Sequence, residues 1–277
     1  MKLYSSEKNN YYPMDYLEII DEIKAANNRI REFVVKTPLV KFMGGLNDKP
    51  VYLKLENYQH TGSFKLRGAL NKVLSLADGE KNQGVITAST GNHALATAYA
   101  LKLTNGKGTI YLPKTVILAK LDKLQKYNVA LVHFGNDSAE TEVEARRVSE
   151  IENIPFISPY NDYKVIAGQG TIGIELLEDL KDIDNVFVTV GGGGLISGIS
   201  CYLKSINPSI KIYACQPINS AVMYHSINEG KIVEMESKST LSDGSAGGIE
   251  INSVTFELVQ KFVDDFILVS EDEIKTA

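Results

Sequence analysis

The chain has 277 residues, 44% hydrophobic and 23% charged, enough apolar material for one large domain or two packed ones. Its formal net charge of −5 argues against nucleic acid as a partner, because binding a phosphate backbone needs a basic surface. No apolar run is long enough for a membrane span, the first residues turn polar soon after Leu3, and Cys201 and Cys215 are too few for a disulfide framework, so a cytoplasmic protein with no membrane partner is expected.

Residues 15–34 read as a helix and 51–56 as an alternating strand. From residue 84 onward, short β-branched runs alternate with longer helical patterns, as in a mostly parallel α/β sheet. The order is strand 84–88, helix 92–103, strand 109–112, helix 115–127, strand 129–134, helix 139–151 and strand 155–158, which leads to a polar turn at Asn161 and Asp162. The rhythm repeats with helix 168–180, strand 185–190, helix 195–206 and strand 211–215. No repeat or linker marks a boundary. Because the motifs are scattered yet must converge, two interleaved open α/β lobes are expected, not two in tandem.

Three Gly- and Ser-containing turns stand at strand-to-helix junctions. In the first, His60 to Ala69, Thr61, Gly62 and Ser63 are expected to supply N-cap chemistry, with Lys65 in the first helical turn. The positive end of the helix dipole there favours a neutral amine, the form that a Schiff-base nucleophile requires. Taken alone, Lys65 reads more readily as a surface lysine on an amphipathic helix. The second turn, Ala88 to Ala94, offers backbone N–H groups to a carboxylate or phosphate, together with the Asn92 amide and the His93 imidazole. Ordinary helix capping would account for it as well.

The third turn is Gly191 to Gly198, with four consecutive glycines after the strand ending at Val190. So costly a run suits a backbone closing around a phosphate. It is not a dinucleotide fingerprint: Ile196 and Ser197 stand where a third glycine is required, and no acidic residue ends the next strand. The four histidines, His60, His93, His133 and His225, lack metal-ligand spacing, and no G-x-S-x-G elbow is present. His133 and His225 read as structural.

In this order the three turns resemble the serine/threonine dehydratase group of fold-type II pyridoxal-phosphate enzymes, which also contains serine racemases. The resemblance extends from Ile20 to Ile274 and includes Val165 to Thr171 and the Ser242-Asp243-Gly244 segment. It implies a tryptophan synthase β-like α/β fold. Residues 1–74 and 162–277 would form a large cofactor-binding domain, and 75–161 a small domain carrying the substrate-carboxylate loop. It further implies that Lys65 holds pyridoxal 5'-phosphate as a Schiff base, that Phe64 packs beside its ring and that Asn92 bonds its phenolic oxygen. Gly191, Gly192, Gly193 and Gly194 would hold the phosphate, and Ser89, Thr90, Gly91 and His93 would surround the substrate carboxylate. The implied reaction is dehydration and deamination of L-threonine or L-serine to a 2-oxo acid and ammonia. Lys65 would remove the α-proton of this small hydroxy amino acid, and a homodimer or higher homo-oligomer is implied. Cysteine and threonine synthases carry Asp after the lysine, where this chain has Leu66; tryptophan synthase β chains carry His before it, where this chain has Phe64.

Three departures qualify the resemblance. Racemases of the group use a serine as second acid/base, and Thr90 stands at that position, which disfavours racemisation. Metal-binding relatives place carboxylates where this chain has Gln216 and Val222, so no metal is expected. Ser270 and Glu273 form a capping box followed by only four residues, so the chain reads as truncated and its last helix as too short to stand. A racemase, a dehydratase of a related amino acid such as 3-hydroxyaspartate, and a catalytically impaired ligand-binding fragment are the competing readings.

Overall fold

The computed structural model describes residues 15–44 and 49–277. Helix α1 (Tyr16–Ile30) starts at a capping box in which Asp15 accepts from Leu17 N and Glu18 reaches back to the Asp15 N–H. Ile19, Ile23, Ala26 and Ile30 lie on its buried face. The helix ends earlier than the expected residue 34, where β-branched Val34 and Val35 lead toward Pro38. An antiparallel hairpin follows, β1 (Leu39–Phe42) with β2 (Val51–Lys54), in the register Leu39↔Lys54. β1 gave no sequence signal, because its residues are half-buried or exposed without alternation.

The first parallel unit comprises α2 (Lys65–Ser75), α3 (Asp78–Gln83), β3 (Val85–Ala88), α4 (Asn92–Thr104), β4 (Gly108–Leu112), α5 (Leu118–Leu124), β5 (Ala130–His133) and α6 (Ser138–Glu152). Its sheet order is β3-β4-β5, all parallel. Helix α5 is shorter than its apolar spacing suggests, since Thr115 donates to the Asn136 carbonyl at 2.9 Å and holds that stretch in the loop. The expected strand at 155–158 contributes a single parallel bridge, Phe156 to Ile86. Pro155 has no N–H to extend the ladder, and Pro159 follows closely.

The second unit comprises α7 (Tyr163–Asp179), β6 (Asn185–Thr189), α8 (Gly194–Ile206), β7 (Lys211–Pro217), α9 (Val222–Glu229), α10 (Val254–Phe262), β8 (Asp265–Val269) and α11 (Glu271–Thr276). Its sheet order is β6-β7-β8, again parallel. Helix α7 starts five residues before the expected 168, because Asp162 caps it by accepting from Lys164 N and Val165 N. The expectation for the last segment is corrected: α11 does stand, with Ser270 N and Oγ donating to Glu273 at 2.8 and 2.7 Å.

The sheet β3–β5 lies within 75–161 and the sheet β6–β8 within 162–277, yet one apolar cluster spans both regions: Leu66, Leu70 and Val165 meet Val85, Ala100, Leu101 and Ile157. Helix α7 lies between α2 and α8 at very short range. A methyl group at Gly168 would come within 2.6 Å of Gly68 Cα, and one at Gly198 within 2.5 Å of Gly170 N. Among the described residues, no helix is long and apolar enough to cross a membrane.

Candidate active site

Lys65 opens α2, and its Nζ donates to the Pro159 carbonyl at 2.9 Å while lying 5.2 Å from the centre of the Phe64 ring. Burial holds this amine down at about 8, against an ordinary lysine value of 10.5. The expected cause was the helix dipole, but desolvation is what lowers it. The expected capping is also corrected. Phe64 occupies the N-cap without a side-chain bond, while Thr61 Oγ1 and Ser63 Oγ are buried without a hydrogen-bond partner. Gly62, at φ +73°, turns the chain so that these hydroxyls flank the lysine in sequence yet do not close the helix.

The second turn follows β3. Ser89 Oγ accepts from Gly91 N at 3.2 Å, and Gly91 is the N-cap of α4 without a side chain to fill that role. Ser89 and Thr90 are half-buried and Asn92 is exposed. His93 differs from its neighbours in being fully enclosed. Its Nε2 lies 3.0 Å from the Ile157 carbonyl, so it must donate there, and Nδ1 is left as a buried acceptor without a partner. Burial, reinforced by the charge of Lys65, pushes this imidazole down to about 3. Neutral His93 therefore bonds the strand segment and presents no N–H toward a carboxylate.

The glycine turn follows β6 and runs into α8, whose first N–H groups have no partner within the helix. The structure supplies a packing reason for these glycines that the sequence reading undervalued. A methyl group at Gly191 would meet the Ser245 carbonyl oxygen at 2.9 Å, and one at Gly192 would enter the Tyr160 ring at 2.6 Å. Gly193, at φ +88°, sits in the left-handed region. Thr255 Oγ1 donates to the Gly192 carbonyl at 2.6 Å and fixes the turn from behind.

Both turns sit at carboxyl ends of parallel strands, where open α/β sheets bind ligands. The segment Ser158 to Asn161 connects them to the lysine: Pro159 faces Lys65, while Tyr160 lies against Gly192 and Gly194. Behind Lys65, the Arg67 guanidinium is fully buried between Glu56 at 2.8 Å and Glu175 at 2.6 Å, and Lys54 reaches Glu175 at 2.6 Å. This network ties the start of α2 to α7. A buried amine of low basicity, unsatisfied hydroxyls close to it in sequence and a glycine turn at the start of a helix suit a small aldehyde that also carries a phosphate.

The remaining candidates lie apart. His60 stacks on Tyr99 at 5.6 Å, His133 is exposed at the end of β5, and His225 contacts Tyr224 at 5.1 Å. Gln216 accepts from Tyr224 N at 2.8 Å beside buried Val222. Among the described residues, no group of three or more His, Cys, Asp or Glu side chains is arranged to hold a metal. The sequence reading missed Pro159, Tyr160, Ser245, Glu250 and Arg146. Only the turn chemistry of 158–162 hinted at any of them.

Residues 30–277 match the family model described as pyridoxal-phosphate dependent enzyme. The L-threonine ammonia-lyase of Thermotoga maritima is 41% identical over 260 residues, covering 93% of this chain and 65% of its own. The catabolic L-threonine dehydratase TdcB of Escherichia coli K12 is likewise 41% identical, with 79% of its length covered. The structure of maize serine racemase superposes with a TM-score of 0.88 at 35% identity, covering 93% of this chain and 78% of that one. The chain belongs to the pyridoxal-phosphate dependent enzyme family and, within it, to the group of threonine dehydratases and serine racemases.

Proposed function

We propose that this protein is an ammonia-lyase that uses pyridoxal 5'-phosphate to convert L-threonine, and L-serine, to a 2-oxo acid and ammonia. The observation that carries the reading is Lys65, a buried amine held at about 8 between Phe64 and the Pro159 carbonyl. Its similarity to two threonine-deaminating relatives at 41% identity supports the choice of substrate. When bound, the cofactor supplies an aldehyde that captures amino groups and a ring that accepts the electron pair left by a departing α-proton.

The protein's own residues divide the remaining tasks. Lys65 would anchor the cofactor and would take the α-proton, a role suited to an amine that is about one-tenth neutral at pH 7, far more than an ordinary lysine. Phe64 covers one side of the ring position, and Asn92, exposed at the start of α4, is the donor for the phenolic oxygen. Gly191 to Gly194 hold the phosphate with backbone N–H groups. Ser89, Thr90 and Gly91 would receive the substrate carboxylate in the loop that leads into α4. His93 belongs to this set as the group that ties the loop to Ile157, with its orphaned Nδ1 as an acceptor. We assign 75–161 to a small domain closing over 1–74 and 162–277, and a homo-oligomer in the cytoplasm as the working form.

An absorbance spectrum of the protein with pyridoxal phosphate, before and after L-threonine, tests the reading, together with a screen of hydroxy amino acids for 2-oxo acid release. Release from L-threonine or L-serine supports it; a lasting spectral change without release would make the protein a ligand-binding relative. Racemisation is the second reading, favoured by the likeness to maize serine racemase, although Thr90 in place of serine weighs against it. Faster formation of D-serine than of pyruvate would establish it.

A further inference from the structure

Residues 242–250 run as a strap between the glycine turn and the small-domain helices. On one side, the Ser245 backbone lies directly behind Gly191. On the other, Arg146 of α6 donates to Glu250 at 2.8 Å, and Lys120 of α5 lies 3.9 Å from Asp243. The two pairs differ in weight. Lys120 and Asp243 are 40% and 84% exposed at that long distance, so their attraction is weak. Arg146 and Glu250 are mostly enclosed at 27% and 24%, and the guanidinium also lies 4.2 Å over the Phe156 ring.

The same carboxylate reaches the glycine turn by a second route. Asn161 Nδ2 donates to Glu250 at 2.9 Å, and the Asn161 side-chain Oδ1 accepts from Val254 N at 3.0 Å. Glu250 N donates to the Tyr160 hydroxyl at 2.9 Å; the ring of that tyrosine fills the space beside Gly192, and its backbone and Cβ lie against Gly194. Glu142 is the second partner of Arg146, at 2.8 Å, so the guanidinium is committed to two carboxylates and is not free for a substrate anion.

We propose that Arg146 and Glu250 are a positioning pair that fixes the phosphate-binding turn through Tyr160 and the strap, so that the placement of α6 and the grip on the cofactor phosphate vary together. The proposal rests on the cofactor reading above. The pair touches neither cofactor nor substrate. Its effect falls on the phosphate end of the cofactor, while the imine end is set by α2 and Lys65.

The test compares pyridoxal 5'-phosphate with pyridoxal, which can react with Lys65 but brings no phosphate to the turn. Dissociation constants are measured by absorbance titration for the wild-type protein, Glu250→Gln, Arg146→Met, the double variant and Arg146→Lys. Glu250→Gln and Arg146→Met are each expected to weaken pyridoxal 5'-phosphate by about tenfold while leaving pyridoxal unchanged, the scale of one charge-assisted hydrogen bond. The double variant is expected to be no weaker than either single one, and Arg146→Lys to retain most of the phosphate preference. Equal weakening of both ligands, or an unchanged ratio, overturns the proposal. Should Glu250→Gln fail to fold, Arg146→Met reads the same pair from the other side. A wild-type protein that binds neither ligand at Lys65 would instead refute the cofactor reading, so the two failures are distinguishable.

Discussion

Lys65 Nζ donates to the carbonyl of Pro159 at 2.9 Å, which joins the first turn of α2 to the segment lying against the glycine turn. Burial lowers the amine to about 8, and a backbone carbonyl is a partner it can leave without stranding a charge. Reaction of Lys65 with pyridoxal phosphate, trapped with borohydride and located by peptide mapping, should therefore rise with pH up to about 8 and level off above it. An ordinary lysine would keep gaining reactivity toward 10.5. Lys65→Ala should remove both the trapped adduct and the elimination activity; an adduct on another lysine would defeat the assignment.

On the proposed assignment, Thr90 would decide between elimination and racemisation. A proton delivered to the opposite face of Cα needs an acid within hydrogen-bond reach, and the threonine methyl restricts the rotamers available to its hydroxyl. With L-serine, pyruvate should outpace D-serine. In Thr90→Ala, any D-serine formation should fall by about 100-fold or more, the usual scale of a lost acid/base group, with a much smaller loss of pyruvate.

His93 gives the fold a sensitivity to acid. Its imidazole is pushed down to about 3 in the folded chain, while the unfolded chain protonates near the ordinary value of 6.5. Between those values the unfolded state binds the extra proton, so stability is full above about 6.5 and declines as the pH falls toward 3. At pH 5 the loss from this residue alone amounts to about 2 kcal/mol. His93→Gln, which keeps a donor for the Ile157 carbonyl, should show a smaller drop in urea midpoint between pH 7 and pH 5 than the wild type.

Gly168→Ala sets two effects against each other. Alanine favours a helix interior by about 1 kcal/mol over glycine. A methyl group there, however, would lie 2.6 Å from Gly68 Cα, and backbone cannot swing aside as a side chain can. Overpacking of this kind typically costs about 1–3 kcal/mol, so urea unfolding should show a net loss despite the gain in propensity. A more stable variant would mean that α2 and α7 can separate freely.

The parallel units were legible because strands such as Val85–Ala88 and Asn185–Thr189 stand as short apolar runs bounded by Gly and Ser turns. Lys65, the Ser89–His93 loop and the glycine turn were likewise visible, since each pairs turn chemistry with the start of a helix. Their physical causes were not. The low basicity of Lys65 comes from burial, which a single sequence does not display, and Thr61 and Ser63 look like caps but remain unsatisfied. The pairing of Arg146 with Glu250 joins residues 104 positions apart and has no local signature. Four residues of β1 with no alternation were equally silent, and Asp162 looked like turn chemistry when it was opening α7.

The crossings of α2, α7 and α8 act as a ruler. Lys65 begins α2 and Gly194 begins α8, and both helices press on α7 through backbone at Gly68, Gly168, Gly170 and Gly198. The interval between Lys65 and the glycine turn, the proposed imine anchor and phosphate cradle, is thus graduated in main chain, with no side-chain slack to lengthen or shorten it. Substitutions elsewhere in the core can soften the protein without moving those two marks. On the proposed assignment, changes in the substrate accepted would come from the other side of the cleft, at Ser89 to Gly91, since His93 is itself held to the Ile157 carbonyl.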